Sequence, residues 1–178
     1  MARILRHIKA GSVIGGATWL LLSAAAHVAG ARINTTRSIP LGLYWTNSAP
    51  PAVGAYVLFC PPPLELFDEA RRRDYIGAGF CPGGYGYMMK RVLAAKGDIV
   101  SVADEGVRVN GRLLPDSTPV KADKAGRPLP RYRASRHVLG NSELLLMSDA
   151  SANSFDGRYF GPINRSQIRA VIRPLITW

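Results

Sequence analysis

The chain has 178 residues, enough for one domain with its own core plus an appendage. Its 23 lysines and arginines against 12 acidic residues leave a net charge of +11 and a pI near 10.3. That charge is scattered through Arg71-Arg72-Arg73, residues 127–136 and residues 158–173 without a nucleic-acid-binding motif, which speaks against a DNA or RNA reader and is met equally well by an anionic membrane surface. Two cysteines, Cys60 and Cys81, are too few for a zinc site; a disulfide and two unpaired thiols both stay open.

Residues 1–9 carry Arg3, Arg6 and Lys9, and residues 10–31 contain no Asp, Glu, Lys or Arg. A run of this length can cross a bilayer as a helix, which needs roughly 20 apolar residues. The flanking basic residues predict an amino terminus in the cytoplasm and export of the rest. Small residues at Ala24-Ala25-Ala26 and Ala29-Gly30-Ala31 suit a cleaved signal, but the apolar run exceeds the usual signal core, so an uncleaved anchor is expected. The expected organisation is a basic tail at 1–9, an anchor at 10–31 and an exported catalytic domain at 32–178.

Beyond the anchor, Pro40 and Gly42 predict a bend entering a short strand. Residues 53–59 read as a strand closed by Pro61-Pro62-Pro63, and 64–75 as one short helix with acids early and arginines late. A glycine-rich passage at 77–86 leads to a strand at 87–93, where period-2 alternation puts Met88, Lys90 and Val92 on one face. Asn110-Gly111 marks a hairpin within 106–114, 116–136 reads as an exposed loop, and strands are expected at 143–147 and near 168–172. The fold class is therefore mostly β, a sandwich or barrel-like domain with one short helix, preceded by a single transmembrane helix.

Of the three histidines only His137 falls in the exported part, inside an arginine-rich loop that is a poor place for a neutral imidazole, so a Ser-His-Asp triad is not expected. No cluster has metal-ligand spacing, and neither metal nor cofactor is expected. A lysine between Met88 and Val92 on an apolar face needs a reason, because lysine is seldom buried. Desolvation lowers a lysine pKa and makes the neutral amine available as a base. Ser38, before Ile39-Pro40, is the candidate nucleophile on a bend. Between 148 and 163 lies a dense polar stretch with Asp149, Ser154, Asp156 and Arg158, which by itself reads as a loop held by Asx- and Ser-turns.

Taken in order, Ser38-Ile39-Pro40, Val53-Gly54-Ala55-Tyr56-Val57, Met89-Lys90-Arg91-Val92-Leu93 with Gly97-Asp98, Val109-Asn110-Gly111, and Asn153-Ser154-Phe155-Asp156-Gly157-Arg158-Tyr159-Phe160-Gly161-Pro162 resemble the type I signal peptidase superfamily over nearly the whole chain. The compact Ser-Ile-Pro-Leu-Gly-Leu-Tyr around Ser38 is similar to its conjugal-transfer, pilin-maturing branch. Two departures stand out: Ser148-Asp149-Ala150 in place of Gly-Asp-Asn, and Gly157 where serine is common.

The resemblance implies a Ser-Lys dyad with Ser38 as nucleophile and Lys90 as general base. It implies that Ser154 hydrogen-bonds the lysine amine, and that Asp156 and Arg158 form a pair shaping the loop, with Asp149 as further support; alternatively Asp156 acts on the lysine directly as a catalytic residue and raises its pKa. The oxyanion would be held by the Ser38 backbone N–H and the Thr36 hydroxyl. The implied reaction is acyl transfer on a pilin precursor, with loss of a short carboxy-terminal tail and head-to-tail closure, at the periplasmic face of the bacterial inner membrane. The implied partners are that precursor, inner-membrane lipids and other conjugative transfer proteins, with no nucleic acid. A general leader peptidase and a non-catalytic pilus or secretion assembly factor are the alternatives; in the latter, Lys90 and Asp156 would be a buried ion pair.

Overall fold

The computed structural model describes residues 2–178, with side chains from Gly15 onward. A helix, α1 (Ala2–Ala29), opens the chain, and its described side chains from Gly15 to Ala29 are all exposed. Among the described residues no helix is long and apolar enough to cross a membrane. The expected tail at 1–9 and the start of the expected span at 10–31 lie outside the residues whose side chains are described.

The strands and short helices then follow as β1 (Ala31–Asn34), β2 (Gly42–Asn47), β3 (Tyr56–Phe59), α2 (Glu65–Arg72), β4 (Met88–Ala94), β5 (Ile99–Ala103), β6 (Gly106–Val109), β7 (Arg112–Leu113), β8 (Ala134–Val138), β9 (Glu143–Met147), α3 (Gly157–Phe160), β10 (Ile163–Asn164) and β11 (Ile168–Thr177). Seven strands form one antiparallel sheet in the order β1-β2-β11-β3-β4-β9-β10, and four form a second in the order β7-β6-β5-β8. The mostly β expectation therefore holds, with corrections at the elements. The strand expected at 53–59 begins at Tyr56, because a turn closed by the Ala55 N–H on the Ala52 carbonyl, with Gly54 at φ 90°, occupies the residues before it. The single short helix expected is joined by a second, α3, which Asp156 caps by accepting the Arg158 N–H. The loop expected to run to Arg136 gives way to β8 at Ala134, where pairing with β5 satisfies the backbone.

β4 lies inside the large sheet, between β3 and β9, and alternates buried and half-buried residues along its length. Met88, Lys90, Val92 and Ala94 occupy its buried positions. The main core packs Phe67, Tyr85, Phe155 and Tyr159 with Val57, Phe59 and Val92; T-shaped Phe67–Phe155 and stacked Phe155–Tyr159 rings brace α2 against the 153–160 segment. A second core joins the two sheets through Ala94, Val100, Val102, Leu145 and Met147. Cys60 and Cys81 are joined in a disulfide across a sequence separation of 21 residues, closing a loop that contains α2.

Candidate active site

The segment between β1 and β2 carries Ser38, and one buried side chain holds its shape. Asn34, 3% exposed, donates its amide N–H to the carbonyls of Thr36, Ile39 and Pro40 at 2.7, 2.9 and 3.0 Å. Its own carbonyl accepts from the Thr36 N–H at 3.2 Å and the Thr36 hydroxyl at 3.0 Å. The Tyr44 hydroxyl adds a bond to the Pro40 carbonyl, and fully buried Ile39 pins the bend into a small core with Tyr44, Leu58 and Ile172. A turn that would otherwise leave several carbonyls without partners is thereby closed from inside. Sequence reasoning did not single out Asn34. Its only signal is an Asx-Thr-Thr run ahead of Ser38, which reads as ordinary turn chemistry.

Lys90 reaches Ser38 from β4. Its Nζ donates to the Ser38 Oγ at 2.7 Å, and the residue is 2% exposed. Burial pushes the Lys90 amine down from 10.5 to about 8, against a smaller upward pull from the Asp156 carboxylate and with a further downward push from Arg158. At pH 8 about half of the molecules would then carry a neutral amine in hydrogen-bond contact with a serine hydroxyl. That pairing can draw the proton from the hydroxyl as its oxygen attacks an electrophile.

Ser154, also buried, bonds the Ser38 Oγ at 3.4 Å, a long contact, rather than the lysine amine that the resemblance implies. Asp156 and Arg158 are both fully buried. The guanidinium grips the carboxylate through two parallel bonds of 2.8 Å, Nε to Oδ1 and Nη2 to Oδ2. Asp156 also accepts the backbone N–H groups of Ser148 and Arg158. Arg158 spends its remaining donors on the carbonyls of Ala152, Ser154 and Asp116 at 2.6, 3.1 and 3.1 Å, with a longer one to Ser151. The pair therefore ties the 148–158 loop into a fixed shape, and Asp156 makes no hydrogen bond to Lys90, which it influences only through space. The Arg158 guanidinium is held above its ordinary range: desolvation opposes this, and the Asp156 carboxylate, with smaller help from Tyr159 and Asp116, outweighs it.

Asp149 sits apart from this contact. It accepts from Arg91 and from the Tyr56 hydroxyl, each at 2.9 Å, and these tie the loop to β3 and β4. Desolvation and the neighbouring carboxylate push the Tyr56 hydroxyl up to about 12, so it stays a donor. His137 lies on β8, half-exposed, and pairs with Glu143 at 3.0 Å. Among the described residues no group of His, Cys, Asp or Glu could hold a metal ion.

Ser38, Lys90 and Ser154 open on a cleft of about 390 Å³. Thr36 and Asn34 line one side, with Ile33, Met88, Met89 and Phe155 supplying apolar surface. The Thr36 hydroxyl donates to Asn34, so pointing it at an oxyanion requires it to leave that bond. The walls are mixed, with Arg37, Ser151 and Asn153 adding polar groups to the apolar ones.

The signal peptidase, peptidase S26 family matches residues 4–177. A plasmid transfer protein TraF of Escherichia coli is 72% identical to this chain over 178 residues, covering 100% of both. A conjugal transfer protein TraF of Agrobacterium tumefaciens strain 15955 is 37% identical, covering 98% of this chain and 99% of that one. A crystal structure of a signal peptidase I from Enterococcus faecalis V583 superposes with a TM-score of 0.42 at 15% identity, covering 71% of this chain and 100% of that one. With its site carried on a mostly β fold, the chain belongs to the signal peptidase family, peptidase S26.

Proposed function

We propose that this chain is a membrane-anchored serine peptidase that matures a conjugative pilin precursor by acyl transfer, with Ser38 as nucleophile and Lys90 as general base. The observation that carries it is the 2.7 Å contact between a buried lysine whose amine titrates near 8 and a serine hydroxyl at the edge of a cleft. Lys90 takes the Ser38 proton while Oγ bonds to the peptide carbonyl carbon. The tetrahedral oxyanion is held by the Ser38 N–H and by the Thr36 hydroxyl turned from Asn34. The Lys90 ammonium returns the proton to the leaving amine, the carbon–nitrogen bond breaks, and an acyl-enzyme remains. One oxyanion donor is worth about 3 to 4 kcal/mol of transition-state stabilisation. Ser154 orients the hydroxyl, and the Asp156–Arg158 pair with Asp149 keeps the loop in place.

Water then completes a hydrolysis, or the precursor's own α-amine attacks the ester and closes a ring. A tethered amine has a large effective concentration over a free one, and its pKa near 8 leaves a reactive fraction. Relatives carrying plasmid and conjugal transfer names favour other conjugative transfer proteins as company, and the pilin precursor is the substrate that the motif resemblance implies.

Placement in the bacterial inner membrane, with one span at 10–31 and the domain at 32–178 in the periplasm, is supported by Arg3, Arg6 and Lys9 ahead of the uncharged run. The disulfide fits an oxidising compartment. Ile33, Trp45 and Ile176 are exposed apolar residues on the β1, β2 and β11 strands that follow α1, and exposed Trp178 comes directly after β11; Trp45 stands opposite Ala31, and both Ile33 and Ile176 opposite Leu43, and they suit a lipid surface.

Intact-mass spectrometry of the pilin subunit, coexpressed with the wild-type chain or with Ser38→Ala, tests the reading. A product one water lighter than the trimmed linear chain, present only with the wild type, is expected. A trimmed linear product would point instead to a general leader peptidase. Identical masses with both forms would leave an assembly factor without catalysis.

A further inference from the structure

Beside the cleft lies a second cavity of about 430 Å³. The two share Tyr75, Asn153 and Phe155 as lining residues. Asn153 and Phe155 are the immediate neighbours of Ser154, whose hydroxyl contacts Ser38, so the second cavity begins one residue from the proposed reaction centre. Its floor is apolar, with Phe155, Tyr159, Val120 and Leu129.

Its outer wall is the excursion between β7 and β8, a segment tethered rather than loose. The Tyr75 hydroxyl donates to Asp123, the Val120 N–H donates to the Tyr159 hydroxyl at 3.1 Å, Arg73 donates to the Pro128 carbonyl at 2.8 Å, and Arg158 holds the Asp116 carbonyl. Within the wall, Asp123 accepts from the Arg127 side chain and from the backbone N–H groups of Ala125 and Arg127, which closes a tight turn. This hydrogen bonding, led by Tyr75, holds the Asp123 carboxyl well below its usual range, and the Arg127 charge is neutralised there. Among the residues that line the cavity, the exposed Lys124 ammonium is the charge outside that ion pair.

We propose that this cavity is a second substrate subsite, which seats an apolar side chain of the polypeptide being processed and holds a neighbouring carboxylate of that polypeptide against Lys124. The proposal rests on the reading of Ser38 and Lys90 as a peptidase dyad. Continuity with the cleft requires an occupant that also reaches Ser38, which an extended polypeptide does at about 3.3 Å per residue. The aromatic and aliphatic floor excludes a purely polar occupant, and Lys124, with Arg127 already paired to Asp123, selects an anionic neighbour. Specificity for the precursor would then come from two sites a few residues apart, which the first cleft alone does not provide.

The test measures binding, apart from turnover. The full chain carrying Ser38→Ala, in detergent, is titrated with fluorescently labelled pilin precursor, alone and with Ala122→Trp or Lys124→Glu added. Both added positions are exposed, so the fold tolerates them. Ala122→Trp fills the cavity and should raise Kd about tenfold at any salt concentration. Lys124→Glu should raise it severalfold at low salt, with the difference closing at high salt as screening removes the charge contact. Unchanged Kd in both variants would overturn the subsite while leaving the Ser38–Lys90 reading standing. A precursor that neither binds Ser38→Ala nor is processed by the wild type would overturn both.

Discussion

Lys90 combines two demands that usually conflict. A buried ammonium is costly, and the same cost is what makes the amine a base. Its pKa in the folded chain, about 8, lies below the ordinary value of 10.5. Between those two values the unfolded chain binds more protons than the folded one, so native stability rises with pH across that window and carries the full penalty below it. That penalty is about 3 kcal/mol at neutral pH, against about 1 kcal/mol for the hydrogen bond to Ser38. Lys90→Met should therefore be more stable than the wild type by about 2 kcal/mol in urea unfolding at pH 7, with the gain shrinking from pH 8 upward and turning into a loss of about 1 kcal/mol above pH 10.5. The same substitution should abolish processing, while in the wild type the single-turnover rate should climb through pH 8 to a plateau. A rate flat between pH 6 and 9 would exclude Lys90 as the base. Lys90 could be suspected from the sequence because its strand neighbours two positions away are Met88 and Val92. Asn34 could not: its importance lies in bonds to carbonyls up to six residues ahead, and any turn asparagine has the same local surroundings.

Among the elements, α3 shows what a four-residue helix can decide. It starts at Asp156, whose carboxylate serves at once as its cap and as the partner of Arg158, and it packs against β9 through Gly157. A Cβ on Gly157 would stand 2.8 Å from the Leu146 carbonyl oxygen and 2.8 Å from the Leu145 Cδ1. The backbone oxygen cannot move without disturbing the β9 strand beside Lys90's own. Glycine at a position where serine is common in the family is thus matched to close packing here. Gly157→Ser should cost roughly 1 to 3 kcal/mol through overpacking, readable as a lower midpoint in urea, and should slow processing through the displaced loop. A neutral effect would mean that β9 yields at this point. The second strand of the 106–114 hairpin was legible because Asn110 and Gly111 both take positive φ, the geometry an Asn-Gly turn calls for. The α3 helix was not legible, since four residues give no helical period to read.

In the whole molecule, three separate devices converge on one cleft: the Asn34-closed bend, the lysine strand inside the large sheet, and the loop locked by Asp156 and Arg158. The disulfide joins the end of β3 to the glycine-rich passage that precedes β4, so it encloses α2 and steadies the ring cluster of Phe67, Tyr85 and Phe155 that backs the loop. Closing a loop of 21 residues is worth about 3 kcal/mol in the unfolded-chain model. Replacing Cys60 and Cys81 with serine together should lower stability by about that amount in denaturant, and the wild type should lose the same increment in reductant. Equal stability with and without reductant would mean that the bridge is absent in solution.

From the sequence alone, the alternation around Lys90, the Asn-Gly turn, the mostly β class and the ordered motifs that mark the family could all be read, because each depends on residues within a few positions of one another. The tertiary structure decided the rest. Ser38 meets Lys90 across 52 residues and Ser154 across 116; Cys60 finds Cys81; Asp156 turns to Arg158 rather than to the lysine; and a tethered wall leaves a second cavity beside the cleft. The amine's lowered pKa belongs with these, because desolvation depends on everything packed around the group, and local sequence does not encode which distant residues will exclude the water.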